Sequence, residues 1–449
     1  MPRRPEPPLL RLRIALARPV DAASLLAFRA LFGGLLVLST IRFAAHGWIA
    51  SIYIEPAYHF PYWGLTWLRP WPGVGMYVEF LALALAALCL ALGLHHRISA
   101  LACLLLFTHI ELLDKAAYLN HYYFVSIVLV LLLAMPLGRA ADLRRTDATA
   151  TAPAWALYAL RLQVGLVYFF AGVAKLRGDW LLRAQPLTTW LAPHSDFPLL
   201  GPLFARPETA HVMSWAGAAF DLTVPFLLLH RRTRPFAYAA VLGFHALTGA
   251  LFPIGMFPWI MGCAALIFFP PEWPRRLLRG VLRPVPKDIS YVPADSPAPL
   301  GRLALGALAA HFSLQLLLPL RHHLYPGDHG WHEQGFRFAW HVMLVEKTGV
   351  VTYRVRDPAS GRQFLVHPED ALTAQQAKQM AFAPDMILDY AHHLADEFAA
   401  RGLPGVEVRA DAFVAYNGRP SARLIDPDVD LARERDGLAP WAWVLPRPD

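Results

Sequence analysis

Long apolar runs, separated by short polar segments, fill the first two thirds of the 449-residue chain. A run of about 17–25 apolar residues is long enough to cross a bilayer as an α-helix. The pattern predicts about nine spans, of which the third and the seventh to ninth are short or interrupted. They lie at residues 23–41, 75–94, 98–113, 122–137, 154–174, 211–230, 236–251, 254–269 and 303–320.

The pattern changes after Arg321, where Pro and Gly punctuate the chain and no apolar run is long enough to span. Residues 338–346 and 350–355 alternate in polarity around Lys347-Thr348-Gly349, which predicts a β-hairpin. Residues 357–361 predict a second turn, which leads into another short strand. This part of the chain is therefore expected to fold outside the membrane.

Residues 373–401 predict two helices, because Thr373 can cap the first and Pro384 interrupts the run. Gly402 suits the position after the second helix, since glycine readily adopts a positive φ. Two further strands are predicted, at residues 406–414 and 421–425. Helices and strands together indicate a small α+β domain.

Composition agrees with a membrane protein. The chain is 56% hydrophobic and only 16% charged, whereas an average soluble domain is about one quarter charged. This excludes a disordered chain. The predicted fold class is an all-α polytopic bundle of about nine transmembrane helices over residues 1–321, followed by an extramembrane α+β domain over residues 322–449.

The formal net charge of +8 favours membrane orientation over nucleic-acid binding, because the basic residues sit between apolar runs. They cluster in every second loop, at Arg3 and Arg4, Arg97, Arg139 to Arg145, Arg231 to Arg234, and Arg275 to Lys287. The positive-inside rule then predicts a cytoplasmic N-terminus and, with nine spans, a C-terminal domain outside. Lys175 breaks the pattern, because it follows a span on the predicted outer side.

Ionisable residues inside a bilayer are costly, so they are candidates for a functional site. The first group is Asp114 and Lys115, followed by Tyr118, Asn120 and His121. One interpretation is an interfacial belt in which Asp114 pairs with Lys115. The other is a polar pocket in which Asn120 and His121 form hydrogen bonds or handle protons.

The second candidate is Lys175, which follows the run from Tyr168 through Phe170 and Gly172. It can be a lysine at a helix end whose amine reaches back to the interface. Alternatively, it lies in a dry bundle that disfavours the ammonium ion, so that the neutral amine can act as a base. Both interpretations remain open from the residues alone.

His245 and Asp221 are weaker candidates, each on an apolar span. A lone histidine there is more often a satisfied bundle residue, and Asp221 can bond a neighbouring helix. The break at residues 255–259 suits a segment that faces a cavity, which adds Met256 and Trp259 to the predicted pocket. No metal site is predicted, because the histidines occur as adjacent or loop pairs and the three cysteines lie in apolar runs.

Several separated blocks, in the same order along the chain, resemble the vitamin K-dependent gamma-glutamyl carboxylase family, whose bacterial members are often called HTTM proteins. The blocks are Leu112-Leu113-Asp114-Lys115 with Asn120-His121, residues 168–175 with Asp179-Trp180, residues 252–257, Pro271-Glu272-Trp273-Pro274, residues 315–319, Trp340, and residues 426–430. The resemblance covers most of the chain. It implies an enzyme of the bacterial inner membrane.

The resemblance also implies the chemistry. In that family a lysine deprotonates reduced vitamin K, whose reaction with O2 generates a strong base. That base removes the γ-proton of a peptide glutamate, CO2 adds to the carbanion, and the quinol leaves as its epoxide. The family's catalytic lysine corresponds to Lys175 and its functional histidine to His121. The implied substrates are reduced vitamin K or menaquinol, O2, CO2 and a peptide or protein acceptor outside the membrane.

In the C-terminal domain, the resemblance makes Trp340, His341, Lys347 and Arg354 the candidate acceptor contacts. Three positions depart from the animal enzymes. Ala174 stands where they carry a second lysine, and Val345 and Lys347 stand where they carry a histidine and an arginine after the shared tryptophan. The quinol half of the reaction is therefore better supported than the peptide half.

Three hypotheses follow. The first is a naphthoquinol-dependent gamma-carboxylase-like enzyme, with quinol epoxidation without peptide carboxylation as its variant. The second is a transporter or lipid-binding protein that kept the scaffold without the chemistry. The third is a membrane-anchored binding module, in which the domain after Arg321 captures a partner.

Overall fold

The structure is a computed structural model that describes residues 7–137, 151–281 and 298–448. Of the predicted basic clusters, Arg3, Arg4, Arg139, Arg144, Arg145, Arg283 and Lys287 lie outside the described residues. Each of the nine predicted apolar segments falls on one or two described helices.

The helices of the N-terminal part follow the apolar runs. They are α1 (Pro8–Ala17), α2 (Ala23–Ala45), α3 (Gly75–Leu92), α4 (His96–Leu112), α5 (Asn120–Ala134), α6 (Ala154–Ala174), α7 (Gly178–Leu181), α8 (Leu187–Leu191), α9 (Gly201–Phe204), α10 (Pro207–Leu229), α11 (Arg234–Leu251), α12 (Phe257–Ala265), α13 (Trp273–Val281) and α14 (Arg302–Leu317), with β1 (Pro19–Asp21) antiparallel to β2 (Thr151–Pro153).

Five described helices are long and apolar enough to cross a membrane. They are Ala23–Ala45, Gly75–Leu92, Ala154–Ala174, Pro207–Leu229 and Arg302–Leu324, the last of which extends α14 through the 3-10 helix Leu318–Leu324. Two shorter apolar helical segments, Asn120–Ala134 and Phe257–Phe268, accompany them. The bundle is thus mostly helical, while nine crossings stay a prediction.

The C-terminal part is a four-stranded antiparallel sheet with helices packed against it. Its elements are α15 (His329–His332), β3 (Lys347–Arg356), β4 (Gln363–Val366), α16 (Ala374–Met380), α17 (Pro384–Ala400), β5 (Glu407–Tyr416) and β6 (Ala422–Arg423). The strand order is β4-β3-β5-β6, with Val351 opposite Ala412 and Arg354 opposite Leu365. Burial of the apolar face of α17 on this sheet forms the domain core.

The two predicted helices are confirmed. Thr373 caps α16 in a reciprocal capping box with Gln376. Pro384 begins α17, because proline lacks the N–H that a helix interior needs but fits its first turn. Gly402 follows α17 with φ +86°.

The predicted hairpin around Lys347 is wrong. Lys347 begins β3, which pairs with β4 and β5 instead of turning back on residues 338–346. Phe338, Trp340 and Met343 each have a positive φ, and Trp340 packs on Tyr123 of α5 at 5.0 Å between ring centroids. The alternation of polarity therefore reflects docking onto the bundle and not a strand.

Polar contacts join the two parts of the molecule. The Lys115 amine, just after α4, lies 2.8 Å from Asp385 and 2.6 Å from Asp389 of α17. Asp179, after α6, pairs with Arg419 at 2.6 Å. The C-terminal domain is thus held at a fixed position against the end of the bundle that carries Lys175.

Candidate functional site

The last turn of α6 places Lys175 inside the protein. Its side chain is 5% exposed, and its Nζ donates to the Ala171 carbonyl at 3.2 Å. The Asp221 carboxylate of α10 lies 2.8 Å away, and the Trp180 ring centroid lies 5.2 Å from Nζ. Of the two interpretations of this lysine, the structure supports the buried one.

Close packing of α6 on α10 brings the lysine and the aspartate together. A Cβ at Gly172 would lie only 2.8 Å from the Leu222 nitrogen, so a larger residue would push the helices apart. Small residues permit this approach between membrane helices. Gly172 thus sets the distance at which Asp221 reaches Lys175.

An apolar cavity opens beside this ion pair. Its apolar lining comes from α6, α8, α10, α11, α12 and the loop after Trp340, and includes Val167, Leu187, Trp190, Met213, Phe244, Phe252, Ile254, Phe257, Met261, Val342 and Met343. Lys175, Asp221, Tyr168, His245 and Thr248 supply the polar groups. An apolar cavity with a few convergent polar groups is typical of a small-molecule site.

Two histidines flank the Phe257 ring at the start of α12. His245 lines the cavity and forms a 2.8 Å hydrogen bond through Nε2 to the Tyr168 hydroxyl. Its ring lies 5.6 Å from that of Phe257, and the His121 ring lies 5.9 Å from Phe257. His121 is buried but does not line the cavity, so Phe257 stands between it and the Lys175 side.

The other residues of the first predicted group lie at the junction between the two parts. Asp114 accepts hydrogen bonds from the Ala116 nitrogen and the Gln376 amide, each at 2.8 Å. Burial raises the pKa of Asp114 to about 6. The Tyr118 hydroxyl donates to Asn120 at 3.1 Å. These contacts connect the domains and do not form a pocket around Lys175.

Three predicted pocket residues lie away from the Lys175 cavity. Phe170 lines a second cavity on another side of the same helix end. Met256 is partly buried against the bundle core, and Trp259 is 66% exposed on the outer surface. The break at Gly255 instead places backbone beside His121, since a Cβ there would lie 3.9 Å from His121 Nε2.

The predicted acceptor contacts are mostly engaged within the protein. Trp340 is 1% exposed. Lys347 is buried, and its Nζ donates to Glu333 at 2.9 Å and to the Trp331 carbonyl at 2.8 Å. Arg354 pairs with Asp411 at 2.8 Å. These side chains hold the C-terminal domain and its docking loop in place.

The second cavity lies between the end of α6 and the C-terminal domain. His322, His329 and His341 line it together with Arg177. No local sequence pattern predicts this group, because its members come from three separate segments. His341 was singled out only as an acceptor contact.

Comparisons with known families agree with the two-part architecture. The HTTM domain matches residues 17–273, and the vitamin K-dependent gamma-carboxylase lumenal domain matches residues 301–449. No solved structure matches the chain. The apolar helices make it an integral membrane protein, and the lumenal-type domain lies on the far side of the membrane.

The two matches cover both parts of the molecule, in the order that the resemblance predicts. They support a carboxylase-type function that depends on reduced vitamin K. The chain belongs to the vitamin K-dependent gamma-carboxylase family.

Proposed function

We propose that the chain is a naphthoquinol-dependent, gamma-carboxylase-like enzyme of the bacterial inner membrane, and that the Lys175 cavity receives the quinol. The observation that carries this proposal is the Lys175–Asp221 ion pair, buried at one wall of an otherwise apolar cavity. The clusters of basic residues favour a cytoplasmic N-terminus.

The residues of this cavity fit a reduced naphthoquinone. Phe244, Phe252 and Trp190 offer aromatic surface to a flat ring system. His245 Nδ1 is buried and has no hydrogen-bond partner within the described ranges, so it can bond a hydroxyl of the ligand. A lipid-soluble quinol would enter from the bilayer, which suits a site among membrane helices.

Lys175 and Asp221 can take the quinol proton as one unit. One proton of the Lys175 ammonium first passes to the Asp221 oxygen 2.8 Å away, and the neutral Nζ then accepts the proton of a quinol hydroxyl. The quinol O–H bond breaks, the N–H count of the amine is unchanged, and the proton ends on the carboxylate. The amine is therefore the base, and Asp221 is its proton acceptor.

The deprotonated quinol, with O2 as oxidant, supplies the strong base that removes the γ-proton of a glutamyl acceptor, and one oxygen atom leaves in the epoxide and the other in water. The chain's part is to orient the ring and to exclude water. His245, held by Tyr168, orients the second polar end of the ligand. His121, behind Phe257, is proposed to support that wall of the site.

The acceptor would reach the cavity from the far side of the membrane. Val342 and Met343, in the loop after Trp340, line the cavity on that side. Trp340 and Lys347 are buried at either end of this loop. We assign them to positioning the loop, so that a glutamyl side chain can pass beside it to meet CO2.

Quinol epoxidation without peptide carboxylation is the second candidate. It is favoured by the burial of Lys347 in an ion pair with Glu333, because an engaged ammonium cannot also bind an acceptor carboxylate. Both candidates share the proton transfer at Lys175 and differ only in what the strong base attacks.

The test supplies reduced menaquinone and O2 to the purified full-length protein, with isotopically labelled bicarbonate and a glutamate-rich peptide. Quinone epoxide and incorporated label are measured by mass. We expect epoxide from the native chain, and a rate that falls by about 10²–10⁴-fold in Lys175→Ala and in Asp221→Asn. Lys378→Ala, an exposed lysine, is the matched control.

Each outcome is decisive. Epoxide with label in the peptide supports carboxylation, and epoxide alone supports the second candidate. Undiminished epoxide formation by a folded Lys175→Ala protein contradicts both. Quinol transfer across vesicles without O2 consumption would favour a transporter.

A further inference from the structure

Three imidazoles meet beside the second cavity. His322 lies on the 3-10 helix Leu318–Leu324, His329 begins α15, and His341 follows Trp340 in the docking loop. Their ring nitrogens include one from each residue that all lie within 4.8 Å of one another. The ring centroids of His322 and His329 are 4.0 Å apart, and those of His329 and His341 are 4.7 Å apart.

Two of the three imidazoles have a buried ring nitrogen with no other role. His329 Nε2 and His341 Nδ1 are buried and have no hydrogen-bond partner within the described part of the chain. Burying such polar atoms unpaired is costly. His322 Nδ1 donates to the Pro319 carbonyl at 2.8 Å, which leaves its Nε2 as a lone-pair donor. A hydrogen bond from the second ring nitrogen to a carbonyl is typical of metal-binding histidines.

The distances suit a small ion after slight closure. Tetrahedral coordination with metal–nitrogen bonds of about 2.0–2.1 Å places ligand nitrogens about 3.4 Å apart. Small rotations of the three rings, which move each ligand nitrogen by up to about 1 Å, bring the nitrogens from within 4.8 Å of one another to the separation that a metal requires. His322 and His341 come from segments that dock on one another, so the closure requires no change in either domain core.

The surrounding charges do not exclude a cation. Arg177 lines the same cavity, but its guanidinium contacts the Asp328 carboxylate. Asp328 also lies 3.1 Å from Arg447.

We propose that His322, His329 and His341 form a binding site for a divalent transition-metal ion of the zinc class, with a fourth coordination position open to the second cavity. Imidazole ligands suit zinc, cobalt, nickel and copper and not magnesium or calcium. Three protein ligands with an open position are typical of sites that bind a water or a small anionic group. This site is separate from the Lys175 cavity, and the proposal does not rest on the quinol chemistry.

The test uses the full-length protein in detergent, with any affinity tag removed and metals stripped by a chelator. Co²⁺ is titrated while the visible absorption of the ion is recorded, and Zn²⁺ is then added as a competitor. We expect one equivalent of Co²⁺ with a tetrahedral-type spectrum, displaced by Zn²⁺. Bound Zn²⁺ should also raise the melting temperature, because it binds the native state alone.

The variants decide which residues bind. His329→Ala and His341→Ala should each weaken Co²⁺ binding on the order of 100-fold or more and remove the thermal shift. His323→Ala is the matched control, because its ring centroid lies 4.1 Å from that of His322 but His323 is not one of the three. His329→Gln keeps the test valid if an alanine variant does not fold.

Two results would overturn the proposal. One is the absence of a one-equivalent Co²⁺ spectrum in the folded native protein. The other is equal binding by native, His329→Ala and His341→Ala proteins, which would assign the ion to other surface histidines.

Discussion

Two buried lysines, Lys175 and Lys115, occupy environments that differ in their acidic partners and in the space beside them. Lys175 has one carboxylate, Asp221 at 2.8 Å, and lines a cavity. Lys115 has two, Asp385 at 2.8 Å and Asp389 at 2.6 Å, and lines none of the cavities described above. Both are almost fully buried. In the sequence, both follow an apolar run and both suggested a functional site.

The surroundings of Lys115 fix its charge. Burial alone would lower the pKa of Lys115, but Asp385 and Asp389 outweigh it and raise the pKa above its ordinary value. Arg337 lies 2.6 Å from Asp385, which completes a network of two cations and two carboxylates. Such an amine is a fixed ammonium that joins two domains. Burial alone thus does not identify a base, and our proposal for Lys175 rests on its single proton acceptor and the adjoining cavity.

The largest expected effect is a contrast between the two lysines, with loss of activity at Lys175 and loss of stability at Lys115. Lys175→Met should reduce quinol epoxidation by about 10²–10⁴-fold, while the protein stays folded, because Asp221 alone can take up a proton. Lys115→Met should instead lower the free energy of unfolding by about 3–5 kcal/mol, since two buried carboxylates lose a partner. The measurements are epoxide formation per folded protein and unfolding in detergent. Two variants with equal losses in both assays would contradict the comparison.

The next effect concerns the spacing of α6 and α10. Gly172→Ala should destabilise the fold by about 1–3 kcal/mol, because its Cβ would overlap Leu222, and should slow epoxidation by moving Asp221 from Lys175. Gly34→Ala is the control, since a Cβ there meets nothing within 4 Å. Unfolding and epoxidation rates check both. A Gly172→Ala protein that matches Gly34→Ala would show that helix spacing does not set the ion pair.

A smaller effect is a pH dependence from the Lys115 network. Burial raises the pKa of Asp389 to about 6, against the opposing effect of Lys115, whereas an unfolded aspartate has a pKa of about 3.9. Between these values the native state holds a proton that the unfolded state releases. Stability should therefore fall as pH rises from about 4 to about 6, by at most about 1.4 kcal/mol per pH unit for this group.

Asp389→Asn removes that contribution and should flatten the slope of unfolding free energy against pH. The partners of Asp385 hold its pKa below the ordinary value, against the effect of burial. Its protonation therefore lowers the free energy of unfolding only at lower pH. An unchanged slope in Asp389→Asn would show that this carboxylate is charged throughout the range.

The smallest effect is expected at Trp259, a predicted pocket residue, in comparison with Phe252, which lines the Lys175 cavity. Trp259→Ala should change the quinol KM and the stability little, within about 0.5 kcal/mol, because the side chain is 66% exposed. Phe252→Ala, which opens the cavity, should raise the KM. Equal KM changes would place the quinol elsewhere.

Local sequence patterns predicted much of the fold. Apolar runs located the helices, and Thr373 and Pro384 located the boundaries of α16 and α17, because capping and proline act within a few residues. The alternation of polarity around Lys347 led to the wrong prediction of a hairpin, because Trp340 and its neighbours are buried by a different part of the chain. A local pattern shows that residues are buried but not what covers them.

The site was only partly predictable for the same reason. Lys175 and His245 were visible as polar residues in apolar runs, and Asp221 as a helix-bonding candidate. The pairing of Lys175 with Asp221 depends on the approach of α10 to Gly172, which no residue spacing within α6 predicts. His322, His329 and His341 meet only because the docking loop folds back on the bundle, so their grouping required the three-dimensional structure.

The last turn of α6 lies between the Lys175 cavity and the second cavity. Ala171 and Lys175 face one of them, while Phe170, Val173 and Ala174 face the other. The Ala171 carbonyl accepts a hydrogen bond from the Lys175 amine. It therefore lies on a helix turn that borders both cavities. A ligand in the histidine-lined cavity would therefore contact the same helix turn that positions the Lys175 amine.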